Sequence, residues 1–121
     1  MIIFDTNIII YSAKQEYIGL RPLFFSPNAL ISAISKVEVL GFHSLDDGEK
    51  LYFESIFKTI KLLPIDFEII DKAIELRQQK KMSLGDSIIA ATSLVFDAEL
   101  YTRNVSDFKH ISGIKVVNPI D

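Results

Sequence analysis

The chain alternates short apolar runs with longer stretches in which apolar residues recur at helical spacing. Residues 2–4 form an apolar run that ends at Asp5, a pattern typical of a short buried strand that turns directly into a helix. Between residues 83 and 96, apolar side chains follow the spacing of one helix face. By the same criteria we predict further strands at residues 29–34, 63–65, 100–102 and 114–117, and a turn or short helix at 104–108. Further helices are predicted at 35–44, at 46–62 and at 66–81, the last of them capped by Asp66.

Strands separated by helices predict a mostly parallel sheet with right-handed crossovers, and therefore an α/β fold. The length of 121 residues suits one domain that spans residues 1–121, and no internal repeat or long linker divides it. Gly19, Pro22 and Pro27 indicate a loop between the first helix and the second strand. A hydrophobic share of 49% with 24% charged residues is typical of a folded domain.

Composition also narrows the chemistry. The chain contains no cysteine, which excludes disulfides, thiolate nucleophiles and cysteine-based zinc sites. The apolar start is interrupted by Asp5 and lacks a basic leader, and no later run approaches the roughly 18 apolar residues of a membrane span. We therefore expect a soluble, cytoplasmic protein without a membrane partner. The formal net charge of -3 argues against a large basic surface for nucleic acid.

Four acidic residues fall where the predicted elements bring ligands together. Asp5 follows the first strand, Glu38 lies in the first turn of a helix entered through Ser35, and Asp107 follows the fourth strand. Ligands bind outside the carboxyl ends of parallel strands, and Asp86, in the first turn of its helix, can face the same edge. We therefore predict that the four carboxylates share one site.

Each carboxylate taken alone also has a structural explanation. Asp5 has the position of a helix N-cap, Ser35-x-x-Glu38 and Ser83-x-x-Asp86 match the capping-box pattern, and Asp107 suits a turn. Apolar neighbours, however, predict that all four are at most partly solvated, and partly buried like charges are costly unless they are neutralised. Mg²⁺, with Mn²⁺ as a substitute, is the obvious candidate, because hard cations take carboxylate and water oxygens and need neither His nor Cys.

The remaining polar and apolar signals are weaker. We interpret His43, on the second predicted helix, and His110 as surface or helix-end residues rather than ligands. The run 77–81 is typical of a solvated helix end, although it can also meet a phosphate backbone. An apolar series between residues 42 and 57 exceeds what one helix face needs. Core packing is the default explanation for this series, and a partner groove is the alternative.

Four segments, taken in order, carry a resemblance to a known family. They are Ile2-Ile3-Phe4-Asp5-Thr6-Asn7, then Ile31-Ser32 with Ser35-Lys36-Val37-Glu38, then Ser83-Leu84-Gly85-Asp86-Ser87-Ile88-Ile89-Ala90-Ala91, and finally Tyr101-Thr102-Arg103-Asn104-Val105-Ser106-Asp107-Phe108 with Asn118-Pro119. In order and spacing they resemble the PIN-domain family, and within it the VapC-type toxin ribonucleases of bacterial and archaeal toxin–antitoxin pairs. The resemblance covers essentially the whole chain.

The resemblance implies a three-layer α/β/α fold and metal-dependent endonucleolytic cleavage of RNA by a toxin that a cognate antitoxin restrains. We expect a homodimer, and an antitoxin segment that covers part of the apolar surface between residues 42 and 57, Phe53 and Phe57 included. The family's acidic quartet, as catalytic and Mg²⁺-binding residues, carries over onto Asp5, Glu38, Asp86 and Asp107. Its polar supporting positions carry over onto Thr6, Asn7, Thr102 and Asn104, and the weaker candidates for RNA phosphate contacts are Lys36 and Arg103.

Three other functions compete with this hypothesis. A haloacid-dehalogenase-type phosphatase needs a second Asp two residues after the first, where this chain has Asn7. A receiver domain needs adjacent acidic residues after the first strand, whereas Asp5 lies between Phe4 and Thr6. A non-catalytic PIN-like binding module remains the alternative if the quartet does not converge.

Overall fold

The computed structural model describes all residues from Met1 to Asp121 and has one central sheet with helices on both faces. The strands are β1 (Ile2–Phe4), β2 (Ala29–Ser32), β3 (Lys61–Leu63), β4 (Glu99–Tyr101) and β5 (Val116–Val117). The α-helices are α1 (Thr6–Tyr11), α2 (Ala33–Leu40), α3 (Asp47–Thr59), α4 (Phe67–Gln79) and α5 (Leu84–Phe96). Two 3₁₀ segments cover Gln15–Phe25 and Val105–Asp107. The predicted three-layer α/β/α fold is confirmed.

The sheet has the order β3-β2-β1-β4-β5, and every neighbouring pair is parallel. Ile3 of β1 pairs with Leu30 on one side and with Leu100 on the other. The chain thus builds outward from β1 in one direction and later in the other, so the carboxyl end of β1 is a switch point of the topology. Open parallel sheets bind ligands at such points, and Asp5 is the residue that follows β1 there.

The core has two parts, one on each face of the sheet. On one face α4 and α5 pack over Ile3 and Leu100, and α5 presents the small residues Ala90 and Ala91 at full burial. The opposite face is covered by α1, α3 and the first 3₁₀ segment, where the rings of Phe4 and Phe24 meet edge to face at 4.9 Å. No helix is long and apolar enough to cross a bilayer.

The second strand and helix do not lie where the sequence predicted them. β2 ends at Ser32 instead of residue 34, and the Ser32 hydroxyl accepts the N–H of Ile34, so Ser32 rather than Ser35 caps α2. Glu38 therefore lies in the second turn of α2, and the capping-box interpretation of Ser35 is wrong. Since α2 ends at Leu40, His43 lies in the following turn and not on a helix.

Two other assignments were wrong. The region between the first helix and the second strand, predicted as a loop, contains a 3₁₀ segment at residues 15–25, with Pro22 inside it. The third strand covers 61–63 and not 63–65, because α3 ends at Thr59, earlier than predicted. The caps of the two later helices are confirmed: Asp66 accepts the N–H of Ile69, and Ser83 accepts that of Asp86.

Candidate active site

The carboxylate of Asp5 is the most buried of the four candidate ligands. Its residue is only 4% exposed, and its Oδ2 accepts a hydrogen bond of 2.8 Å from the hydroxyl of Thr102. Asp5 has the extended backbone of an N-cap, but its side chain makes no capping hydrogen bond. Capping therefore does not explain why a charge is buried at this position.

Burial strongly alters the acidity of Asp5. The pKa of its carboxyl is raised from 3.8 to about 6, chiefly because desolvation disfavours the charged form. The hydrogen bond from Thr102 opposes this rise, and the negative charges of Asp86 and Glu38 add to it. Burial, more than repulsion among crowded charges, is thus the main cost of an ionised Asp5, and a nearby cation would offset it.

Glu38 is exposed but is held in place by neighbouring groups. Its Oε1 accepts a 2.7 Å hydrogen bond from the hydroxyl of Thr6, which is also 2.9 Å from the hydroxyl of Ser35. A Cβ atom built on Gly85 would lie 2.6 Å from Glu38 Oε2, too close for any real contact. The carboxylate of Glu38 therefore rests against the backbone of α5, one residue before Asp86.

Asp86 lies between Glu38 and Asp107, close enough for the charges of both to act on it. The pKa of Asp86 is raised, first because the residue is half-buried and then through the charges of Asp107 and Glu38, while a hydrogen bond with Ser83 opposes the rise. Asp86 and Asp107 line the same cavity of about 480 Å³. Asp5, Glu38, Asp86 and Asp107 thus form a connected series along the carboxyl edge of the sheet. The expectation that all four are at most partly solvated was wrong for Glu38 and Asp107, which are exposed.

The donor atoms suit a hard cation that keeps several waters. No three acidic or histidine side chains come close enough to form a finished metal cage. Mg²⁺ is usually held by one or two carboxylates together with water and substrate oxygens, whereas Ca²⁺ takes six to eight oxygen ligands. An open series of carboxylates, one of them desolvated, therefore fits a Mg²⁺ or Mn²⁺ that one or two of Asp5, Glu38 and Asp86 would hold directly, with water completing its coordination and Asp107 further along the edge.

The predicted supporting residues differ in what they contact. Thr6 and Thr102 bind carboxylate oxygens directly, as described above. Asn104 acts through its backbone, whose N–H donates to the Thr102 hydroxyl at 3.1 Å, and its side chain makes no capping bond. Asn7 is exposed on α1. The sequence did not reveal two contributors: Ser35, which was assigned as a cap, and Gly85, whose missing side chain leaves room for Glu38.

Neither candidate for RNA phosphate contacts lines the cavity with Asp86 and Asp107. Lys36 lies in a separate depression with Glu54 and Lys58. The guanidinium of Arg103 donates to the hydroxyl of Tyr17 at 3.0 Å and lies over the rings of Tyr11 and Tyr17. Arg103 therefore ties the fourth strand's loop to the first 3₁₀ segment.

The apolar series between residues 42 and 57 divides between core and surface. Phe53 and Phe57 are both buried in the core. Phe53 also lines the floor of an apolar groove, whereas Phe57 does not reach it, so the expectation that Phe57 offers a surface to an antitoxin was wrong. Phe42 is 55% exposed and contributes to the same groove, which has a volume of about 170 Å³. The groove is lined by Ile10, Glu38, Val39, Phe42, Leu45, Glu49 and Phe53. This surface reaches the candidate active site at Glu38.

The chain is similar to proteins of known family. A family model described as PIN domain matches residues 2–114. A protein named Ribonuclease VapC1 from Rickettsia felis is 28% identical, and the match covers 96% of this chain and 94% of the relative.

Solved structures agree with the sequence matches. One is a toxin-antitoxin complex from Klebsiella pneumoniae, with a TM-score of 0.79, 32% identity and 98% of each chain covered. VapBC-1 from nontypeable Haemophilus influenzae gives a TM-score of 0.77 and 26% identity, again over 98% of each chain.

Proposed function

The chain belongs to the PIN domain family, and on that premise we propose that it is a metal-dependent endoribonuclease that acts as the toxin of a type II toxin–antitoxin pair. The observation that carries the proposal is the desolvated carboxylate of Asp5 at the topological switch point, with Glu38 and Asp86 beside it. An uncompensated buried charge destabilises a fold, so its presence favours a functional role. Relatives named as a ribonuclease and as a toxin-antitoxin complex support the substrate and the setting.

The residues of the chain have separate roles in this mechanism. Asp5, Glu38 and Asp86 would hold the divalent cation, directly or through water, and the bound cation would supply Lewis acidity that activates water and offsets phosphate charge. Thr102 fixes one oxygen of Asp5, and Thr6 fixes one oxygen of Glu38. These hydrogen bonds limit the rotamers of the ligands, so the site is oriented before RNA arrives. Asp107, at the exposed end of the series, would orient the attacking water or complete the set of oxygen ligands.

This chain lacks groups that are essential in two of the rival functions. For a haloacid-dehalogenase-type phosphatase, the position of the general acid is occupied by Asn7, whose amide cannot donate a proton as a carboxylic acid does. For a receiver domain, the acidic residue after the third strand is missing: β3 is followed by Pro64 and Ile65, and Asp66 caps α4. A hydrolase that acts on a phosphodiester is the better match to the groups present.

The apolar groove beside Glu38 is the surface we assign to the antitoxin. Phe42 is the most exposed large side chain there, while Phe53 forms the buried floor. An apolar segment in this groove would lie next to a candidate metal ligand, and would therefore block the site directly. Binding of the cognate antitoxin is expected to weaken in Phe42→Lys, while a control, Leu51→Lys, places the same change on an exposed residue outside the groove.

The direct test of the proposal is incubation of the purified, antitoxin-free protein with total bacterial RNA. Cleavage at internal phosphodiesters is expected with Mg²⁺ or Mn²⁺. It is expected to stop in EDTA, because no group of side chains in the site would activate water in place of the cation. Undiminished cleavage in EDTA would remove the metal mechanism. Intact RNA under every metal condition, from a protein that unfolds cooperatively, would instead favour the non-catalytic binding module.

A further inference from the structure

The largest cavity of the molecule is lined by two lysine side chains as well as by candidate catalytic residues. Lys80 and Lys81, at the end of α4 and just beyond it, line it together with Asp86 and Asp107. The hydroxyl-bearing residues Ser83 and Ser106 and the side chain of Met82 complete the lining. Lysine ammonium groups and serine hydroxyls are typical contacts for the phosphate backbone of a nucleic acid.

The ammonium groups of Lys80 and Lys81 form no ion pair within the fold, and their positive charge at the end of α4 suits the dipole of that helix. Both residues are exposed, and the only two ion pairs of the molecule are Lys72 with Glu75 and Lys115 with Asp97. Lys80 contributes to the fold through its backbone, whose N–H donates to Leu76. Nothing in the packing of α4 requires two adjacent lysines at this position.

The two cavities that reach the candidate active site differ in charge. The cavity with Asp86 and Asp107 has two lysines that balance its two carboxylates. The groove on the Glu38 side has a second acid, Glu49, and no cation, and most of its lining is apolar. A polyanion entering from the Glu38 side would meet two negative charges, whereas from the lysine side it would meet no net repulsion.

We infer that Lys80 and Lys81 form a binding subsite for an RNA phosphate adjacent to the scissile one, and that RNA enters the site from this side. The inference rests on the proposed function and specifies its substrate path. It also accounts for RNA binding by a chain with a net charge of -3, because the contact needs two local cations and not a basic surface. The ammonium groups hold the backbone in register while the carboxylate series acts on the neighbouring phosphodiester.

The test compares charge-removing and charge-preserving variants in RNA binding. Affinity for a fluorescein-labelled single-stranded oligoribonucleotide is measured in EDTA, where no cleavage occurs, as a function of salt concentration. The double variant Lys80→Gln/Lys81→Gln is expected to lose about 0.7 from the slope of log affinity against log salt, since the slope changes by roughly 0.7 for each phosphate contact on a single strand and the subsite holds one phosphate. Lys80→Arg/Lys81→Arg is expected to keep the parent's slope.

The matched control is Lys58→Gln/Lys61→Gln, because these exposed lysines form no ion pair and lie in the last turn of α3 and at the amino end of β3, on the opposite edge of the sheet. With Mg²⁺, we expect the Lys80/Lys81 double variant to raise KM for RNA and leave kcat unchanged. Equal losses in the two double variants would overturn the subsite while leaving the nuclease proposal intact. A parent protein that neither binds nor cleaves RNA would overturn the nuclease proposal itself.

Discussion

Asp5 combines a buried carboxylate, which is unfavourable for folding, with a position in the proposed metal site. The carboxyl is desolvated, and its only side-chain hydrogen bond comes from Thr102. The sequence predicted its place at the carboxyl end of β1, because an apolar β-branched run ended there. The sequence did not predict that burial would outweigh charge crowding, since the degree of burial depends on how α5 and the loop after β4 pack.

The raised pKa of Asp5 predicts how stability changes with pH. Because the pKa of this carboxyl is about 6 in the folded protein, against 3.8 for an unperturbed aspartate, the native state binds more protons than the unfolded state between these values. In EDTA, the free energy of unfolding of the parent should fall as pH rises from about 4 to about 6, by about 3 kcal/mol from this residue. Asp5→Asn should lack this component. Urea unfolding across that range measures it, and identical pH profiles for the two proteins would contradict it.

At the scale of secondary-structure elements, local signals identified some boundaries and missed others. Asp66 and Ser83 were predicted correctly, because each precedes a long helix with a clear apolar face. Near the start of α2, Ser32 and Ser35 both have side chains that can cap a helix. Ser32 pairs with Leu63 as the last residue of β2, so the helix begins directly after it and Ser32 is the cap. The 3₁₀ segment at 15–25 has no clear apolar face, so its sequence carries no helical signal.

The contact between α2 and α5 provides a prediction at the same scale. In Gly85→Ala the new methyl group would meet the carboxylate of Glu38, so Glu38 must leave its place beside Asp86. We expect cleavage of RNA to fall at least tenfold. The free energy of unfolding should stay equal or rise, since Ala is favoured over Gly in a helix by about 1 kcal/mol.

A matched glycine variant separates the local contact from general helix effects. Gly48→Ala makes the same change in α3, where a Cβ atom meets only Asp46 Oδ1 at an ordinary 3.5 Å. It should keep full activity. If Gly85→Ala cleaves RNA as well as Gly48→Ala does, Glu38 does not need its observed position.

For the whole molecule, the alternation of strands and helices was sufficient to predict a parallel sheet, and the order of strands then places the site. The sequence could not predict the surfaces, because the apolar residues of a series are divided between core and exterior only in three dimensions. Phe53 and Phe42 belong to one predicted apolar series and are eleven residues apart, yet Phe53 is buried in the core and Phe42 is exposed. That residues 1–121 fold as a single domain stays a prediction.

Homodimerisation also stays a prediction, and the structure suggests where to test it. Phe67, 85% exposed, lies on α4 with Ile70 and Ile74, while Leu84 begins α5. Ile70, Ile74 and Leu84 line a shallow apolar cavity between these two helices. We expect light scattering to give a dimer for the parent. Ile74→Glu/Leu84→Glu should give a monomer because two charges would be buried, while Leu51→Glu should remain dimeric. A parent monomer would contradict the prediction.

The central claim is that Asp5 belongs to a divalent-metal site, and thermal unfolding of Asp5→Asn with and without Mg²⁺ tests it most directly. Asn fits the space of Asp and caps helices about as well, so the substitution changes charge with little change of shape. Without metal, the variant should be as stable as the parent or more so, and a gain of about 1 kcal/mol raises Tm by roughly 3 to 6 °C in a domain of this size. Mg²⁺ should raise the Tm of the parent and leave that of the variant unchanged, since a ligand stabilises only the state it binds. An equal Mg²⁺-induced rise in both proteins would contradict the claim.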